Sequence, residues 1–145
     1  MLQHLRIQNF ALIEETEVHL NQGLTVITGE TGAGKSILLG ALGLTLGNRA
    51  DVSSLHNKTK KCIIEAQFNI KEYSLTSFFE QNELDFEEVT TIRREITPEG
   101  KSRAFINDTP TTLSVLKELG EKLIDIHSQH ETVLLKETNF QFELV

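Results

Sequence analysis

Gly29-Glu30-Thr31-Gly32-Ala33-Gly34-Lys35-Ser36 constrains this chain more than any other segment, because it fits G-x-x-x-x-G-K-[ST] at every fixed position. The pattern has meaning only between a buried strand and a helix, and the flanking residues predict both. Leu24-Thr25-Val26-Ile27-Thr28 is a short β-rich apolar run of the kind buried on both faces of a parallel sheet. From Lys35 the period turns helical, with Ile37, Leu38, Ala41, Leu42 and Leu44, until Gly47-Asn48 supplies a stop. In that setting the glycines let the backbone curl so that the N–H groups from Thr31 to Ile37 converge on phosphate oxygens, and the helix N-terminus adds its partial positive charge. Lys35 then reaches the β- and γ-phosphates and the Ser36 hydroxyl ligates Mg²⁺. The expected nucleotide is ATP: Asn57-Lys58-Thr59-Lys60 has a lysine where a guanine-reading carboxylate would stand, and it follows no strand.

The remaining periodicity places this loop in an α/β chain. Residues 2–10 and 11–20 alternate as two antiparallel strands, and Cys62 to Ile70 reads as another. Leu75 to Leu84 reads as a short helix, and Val89 to Ile96 with Arg103 to Ile106 as a hairpin around Thr97-Pro98-Glu99-Gly100-Lys101. Thr112 is set to cap a helix through Leu113, Leu116, Leu119 and Leu123. Leu123-Ile124-Asp125-Ile126 reads as a second buried strand, running into Ser128-Gln129-His130-Glu131.

Binding a triphosphate does not establish hydrolysis, which in this class also needs an acidic group ending a second apolar strand and a group that positions water. No apolar run here ends in Asp-Glu, and no Leu-Ser-Gly-Gly segment occurs. Part of a hydrolytic site is therefore missing from these 145 residues. With 14 Lys+Arg against 21 Asp+Glu the net charge is −7, which argues against broad nonspecific DNA binding by this chain alone. One cysteine, Cys62, allows no intrachain disulfide and suits a reducing compartment. No signal-like start or membrane-length apolar run is present, so the expected location is cytoplasmic.

Several segments resemble the RecN family of bacterial DNA repair proteins. They are Leu5-Arg6-Ile7-Gln8-Asn9-Phe10-Ala11-Leu12-Ile13, the glycine loop itself, Leu46-Gly47-Asn48-Arg49-Ala50-Asp51, Arg93-Arg94, Gly100 to Asn107, and Asp125-Ile126-His127-Ser128-Gln129-His130-Glu131. The resemblance implies a P-loop NTPase of the ABC/SMC head type, with an antiparallel β subdomain beside a parallel core sheet. Residues 1–145 would be its N-terminal part, the coiled coil and C-terminal half being absent. It further implies that Gln129 helps place Mg²⁺ and the attacking water, as a catalytic and metal-site residue beside Lys35 and Ser36. The implied partners are the C-terminal half of the same head, a second head joined by ATP-dependent dimerisation, and DNA through the whole protein, in double-strand break repair and recombination near the nucleoid. The fragment alone would be inactive and the complete protein an ATPase. Ser128 and Asp108 stand where this family leads one to expect glycines, and His56-Asn57 where related chains often carry an arginine before glycine. Two other readings stay open: a nucleotide-gated interaction module without turnover, and the nucleotide-binding part of another ABC-type ATPase or a small-molecule kinase.

Two further groups invite a function. His127, His130 and Glu131 have the spacing of a poor metal cluster, and the nucleotide-loop reading of that segment is favoured. Arg93, Arg94, Lys101 and Arg103 concentrate positive charge on one hairpin, but neighbouring strand residues face opposite sides, so Arg93 and Arg94 cannot share a face whereas Lys101, Arg103 and Phe105 can.

Overall fold

Period-two alternation in six segments builds one sheet. A computed structural model describes residues 1–28 and 32–126, with the backbone alone at Gly32 and Ala33. Strands β1 (Leu2–Phe10), β2 (Ile13–His19), β3 (Cys62–Asn69), β4 (Val89–Ile96), β5 (Ser102–Ile106) and β6 (Thr109–Thr111) lie in the order β2-β1-β3-β4-β5-β6, each pair antiparallel. The β5–β6 hairpin turns on Asn107 and Asp108, both left-handed at φ 47° and 63°. That geometry favours glycine. Asp108 occupies it and places its carboxylate 2.8 Å from Arg93 Nη1. Asn107 closes the corner, accepting from Thr91 N at 2.8 Å and donating to Asp85 O at 2.9 Å.

The register puts Leu5, Ile7, Ile64, Ala66, Phe68, Ile92, Ile96, Ala104 and Ile106 on one face, all buried. Three helices supply the apolar residues that join them in a single core: α1 (Gly32–Thr45) through Ala41, Leu42 and Leu44, α2 (Thr76–Gln81) through Phe78 and Phe79, and α3 (Leu113–Leu123) through Leu116, Leu119 and Leu123. Thr112 caps α3 as its chemistry predicts, accepting from Val115 N at 3.3 Å. The other face of the sheet is polar, with Glu17, Arg6, Glu65, Arg93 and Phe105 following one another across five strands.

Of the two sheets expected, the described residues form the antiparallel one. Residues 24–28 lie in no strand, and Leu24 and Val26 are 94% and 70% exposed. Leu123 closes α3, and residues 124–126 lie in no strand either. An apolar run becomes a parallel strand only where a neighbouring strand completes its hydrogen-bond ladder, and no described residue does so for these two segments.

Candidate nucleotide-binding site

Helix α1 carries the site, and its two ends are fixed differently. Its C-terminus is a Schellman motif: Gly47 is left-handed at φ 92°, Asn48 N donates to Gly43 O at 3.0 Å, and Gly47 N to Leu44 O at 3.4 Å. The buried stripe Ala41, Leu42, Leu44 and Thr45 anchors that end in the core, with the Phe10 ring against Gly40. Toward the N-terminus burial falls away, and Gly34, Lys35 and Ser36 are exposed while Ile37 and Leu38 are half-buried. The helix therefore presents its positive dipole end outward from a fixed base, with no acidic residue in its first turn to compete for an anion.

Gly34 is informative because the described residues give no packing reason for it. A Cβ built there meets no described residue within 4 Å, and its φ is not in the left-handed region. A glycine inside a helix costs ~1 kcal/mol relative to alanine, and packing against the described residues does not account for one here. A phosphate lying against the backbone would account for it. The adjacent glycines of α1 contrast with it: a Cβ on Gly43 would stand 2.5 Å from Asn48 Nδ2.

Lys35 lies on the rim of a groove of about 330 Å³ whose walls include Leu5, Val18, Leu20, Ile27 and Leu38. The sequence reading missed this groove, since it arises from the exposure of residues 24–28 beside α1 and not from any motif. Of the predicted nucleotide-binding residues, the structure brings Gly32, Ala33, Gly34, Lys35, Ser36 and Ile37 together in the first turns of α1. Gly29, Glu30, Thr31 and Gln129 lie outside the described residues, as do His127, His130 and Glu131.

Within the basic hairpin the charges part company. Arg93 pairs with Asp108 at 2.8 Å and Glu95 at 3.5 Å, and its guanidinium carbon sits 4.5 Å from the Phe105 ring centre. Arg94 points the opposite way, into the core, 1% exposed. Arg103 and Phe105 do share a face, as alternation requires, but Lys101 lies outside the strand. A separate groove of about 800 Å³ runs between the β1–β2 turn and residues 56–61, lined by Glu14, Glu15, His56, Lys58, Lys60 and Lys61 among others, and shares no residue with the groove at Lys35. Two of its cations are already engaged: Lys58 Nζ donates to Val52 O and Ser53 O, and Lys61 pairs with Glu95 at 3.4 Å.

A protein-family model described as an AAA domain matches residues 4–144. The chain belongs to the AAA domain family. This AAA domain is 44% identical over 146 residues to the DNA repair protein RecN of Vibrio cholerae, covering 100% of the chain and 26% of that protein. It is 40% identical over 149 residues to the DNA repair protein RecN of Haemophilus influenzae, covering 100% and 27%. The AAA domain thus spans about a quarter of the length of these relatives. A solved structure of SMC ATPases, described under ATP-driven dimerization and DNA stimulated activation, matches with a TM-score of 0.72 at 19% identity and covers 99% of this chain and 95% of that one. The fold is that of an SMC-type P-loop ATPase head.

Proposed function

We propose that this AAA domain is the ATP·Mg²⁺-binding N-terminal part of an SMC-like ATPase head acting in DNA repair. The observation that carries the reading is the start of α1: an outward helix N-terminus without competing carboxylate, an unexplained open space over Gly34, and Lys35 and Ser36 exposed beside it. The backbone N–H groups from Thr31 to Ile37 hold the anionic oxygens, together with the loop residues Gly29, Glu30, Thr31, Gly32 and Ala33. Lys35 neutralises the phosphates, and Ser36 with Gln129 serves Mg²⁺, whose chemistry when bound is to offset charge on the β- and γ-oxygens.

The repair role rests on the relatives, which are DNA repair proteins by name. Turnover needs a carboxylate-bearing strand and a signature segment that these residues do not contain, so this part binds nucleotide and the rest of the head completes the reaction. The exposed run 24–28 and the apolar groove at Lys35 are where the C-terminal half of the head would pack, giving the unpaired segment its ladder. A second head then joins through bound ATP, and DNA is engaged by the whole protein, in double-strand break repair and recombination.

Calorimetry with ATP·Mg²⁺ tests the binding step: the wild-type chain binds and Lys35→Ala does not. Equal affinities would overturn the site. Phosphate release by the chain alone stays at background, and adding the remainder of the head raises it. Turnover by this chain without any addition would contradict the division of labour.

A further inference from the structure

On the polar face of the sheet, at its β2 edge, His4, Glu17 and His19 come together. Pairing of β1 with β2 sets His4 directly opposite His19, with Glu17 one pleat along on the same face. The two imidazoles stack with ring centres 4.5 Å apart and planes 23° from parallel. The potential ligand atoms of all three residues lie within 4.8 Å of one another.

His4 is the residue that needs explaining. Its side chain is only 16% exposed, and Nε2 is buried with no hydrogen-bond partner among the described residues. Glu17 Oε2 stands 3.7 Å away, within ion-pair range but beyond hydrogen-bond reach. Glu17 is ion-paired as well: Arg6 Nε lies 3.3 Å from Oε1 without a hydrogen bond to it, while Oε2 faces His4. Arg6 also donates to Glu15 Oε1 at 2.8 Å, so its charge is offset beside the cluster. The strand across from β2, β3, brings only Gln67 opposite His4.

We propose that His4, His19 and Glu17 form a binding site for a zinc-class divalent cation that ties the exposed edge strand β2 to β1. Two imidazoles and one carboxylate are the donor set of an open tetrahedral site, which leaves the fourth position to water. Tetrahedral ligands at ~2.0–2.1 Å from the metal stand ~3.4 Å apart. Near-parallel stacked rings do not aim their in-plane lone pairs at one point, so binding turns the exposed His19 ring out of the stack, and the exposed Glu17 carboxylate moves with it to bring ligand atoms now within 4.8 Å of one another to that spacing. The cation satisfies the orphaned Nε2 of His4, and Arg6 on the far carboxylate oxygen holds Glu17 in place as an outer partner. Nitrogen ligands make Mg²⁺ a poor occupant, which separates this site from the nucleotide's metal.

The test titrates ZnCl₂ into the nucleotide-free chain by calorimetry, with the thermal midpoint followed in parallel. Wild type binds one equivalent and its midpoint rises with Zn²⁺, whereas MgCl₂ has neither effect. His19→Ala and Glu17→Gln, both at exposed positions, each weaken Zn²⁺ binding at least about tenfold and reduce the midpoint shift. Because His127 and His130 are alternative ligands, the double variant His127→Ala/His130→Ala is measured too and keeps wild-type Zn²⁺ affinity. Unchanged affinity in His19→Ala, or loss of binding in the His127/His130 variant alone, overturns the site. Neither outcome depends on ATP binding at Lys35.

Discussion

Gly47 and Lys117 approach so closely that a Cβ on Gly47 would stand 2.9 Å from Lys117 Cβ and 3.0 Å from its Cα and N. The end of α1 and the middle of α3 are thus packed backbone against backbone. Gly47 is also left-handed, at φ 92°. Gly47→Ala adds strain to a clash that the α3 backbone cannot relieve, and it destabilises by ~2–3 kcal/mol. A urea titration shows this as a lower midpoint at unchanged slope. A midpoint equal to wild type would mean that α3 is free to shift.

Gly34→Ala has the opposite profile. With no described residue within 4 Å of the added methyl and helical backbone around it, the variant gains ~0.5–1 kcal/mol of stability. On the proposed binding at this helix start, its affinity for ATP·Mg²⁺ falls at least about tenfold, since the methyl would take the space of a phosphate oxygen. A variant both more stable and fully competent to bind would remove the reason for a glycine here.

These two glycines show what the sequence discloses and what it withholds. Gly47-Asn48 reads as a helix stop, and Thr112 as a cap, because both signals act through bonds a few residues away. Residues 24–28 and 123–126 read as buried strands because an apolar run announces a need for burial, yet nothing local says who supplies the partner strand. Strand alternation separates Arg93 from Arg94, but which of them enters the core follows from the phase of Ile92 and Ile96, which share a face with Arg94. The His4–His19 pair needs the β1–β2 register, which no motif announces. The glycine-rich string was visible because its pattern is written in consecutive residues, and of it the structure describes the part from Gly32 on, at the start of α1.

Arg94 is buried with its charge uncompensated. Its Nε donates to Ser102 Oγ at 3.0 Å, while Nη1 and Nη2 are buried without partners among the described residues, and burial lowers its pKa from the ordinary value. Removing an unpaired buried charge while keeping the volume relieves desolvation. Arg94→Met is therefore as stable as wild type or more stable, by up to ~1–4 kcal/mol, whereas Arg94→Ala leaves a cavity and loses ~2–4 kcal/mol. Urea midpoints of the two variants check the pair. Equal losses in both would show that the guanidinium itself is needed.

Asn9 organises residues 57–60 from the end of β1. It is left-handed at φ 57° and 7% exposed, and its Nδ2 donates to Asn57 O at 3.0 Å and Lys60 O at 2.8 Å while Oδ1 accepts from Asn57 N. Asn9→Ala forfeits three hydrogen bonds and strains the backbone, at a cost of ~3 kcal/mol. Asn9→Gly relieves only the strain and recovers ~1 kcal/mol of it. Amide exchange at Asn57 rises in both variants. Protection at Asn57 that survives both substitutions would exclude Asn9 as the anchor.

Cys62 makes stability sensitive to alkaline pH. The thiol is fully buried at the start of β3, and desolvation pushes its pKa from an ordinary 9.0 up to about 12. Between those values the unfolded chain loses the thiol proton and the folded chain keeps it, so the unfolded state binds fewer protons and stability falls as pH rises. The contribution is fully present below the unfolded value and declines by ~1.4 kcal/mol per pH unit above it. Lysine and tyrosine titrations are common to wild type and Cys62→Ala, so the difference between their pH dependences isolates the thiol. From about pH 8 to about pH 10.5 wild type loses ~2 kcal/mol more than the variant. Parallel losses in the two proteins would show that the thiol ionises as readily in the folded chain as in the unfolded one.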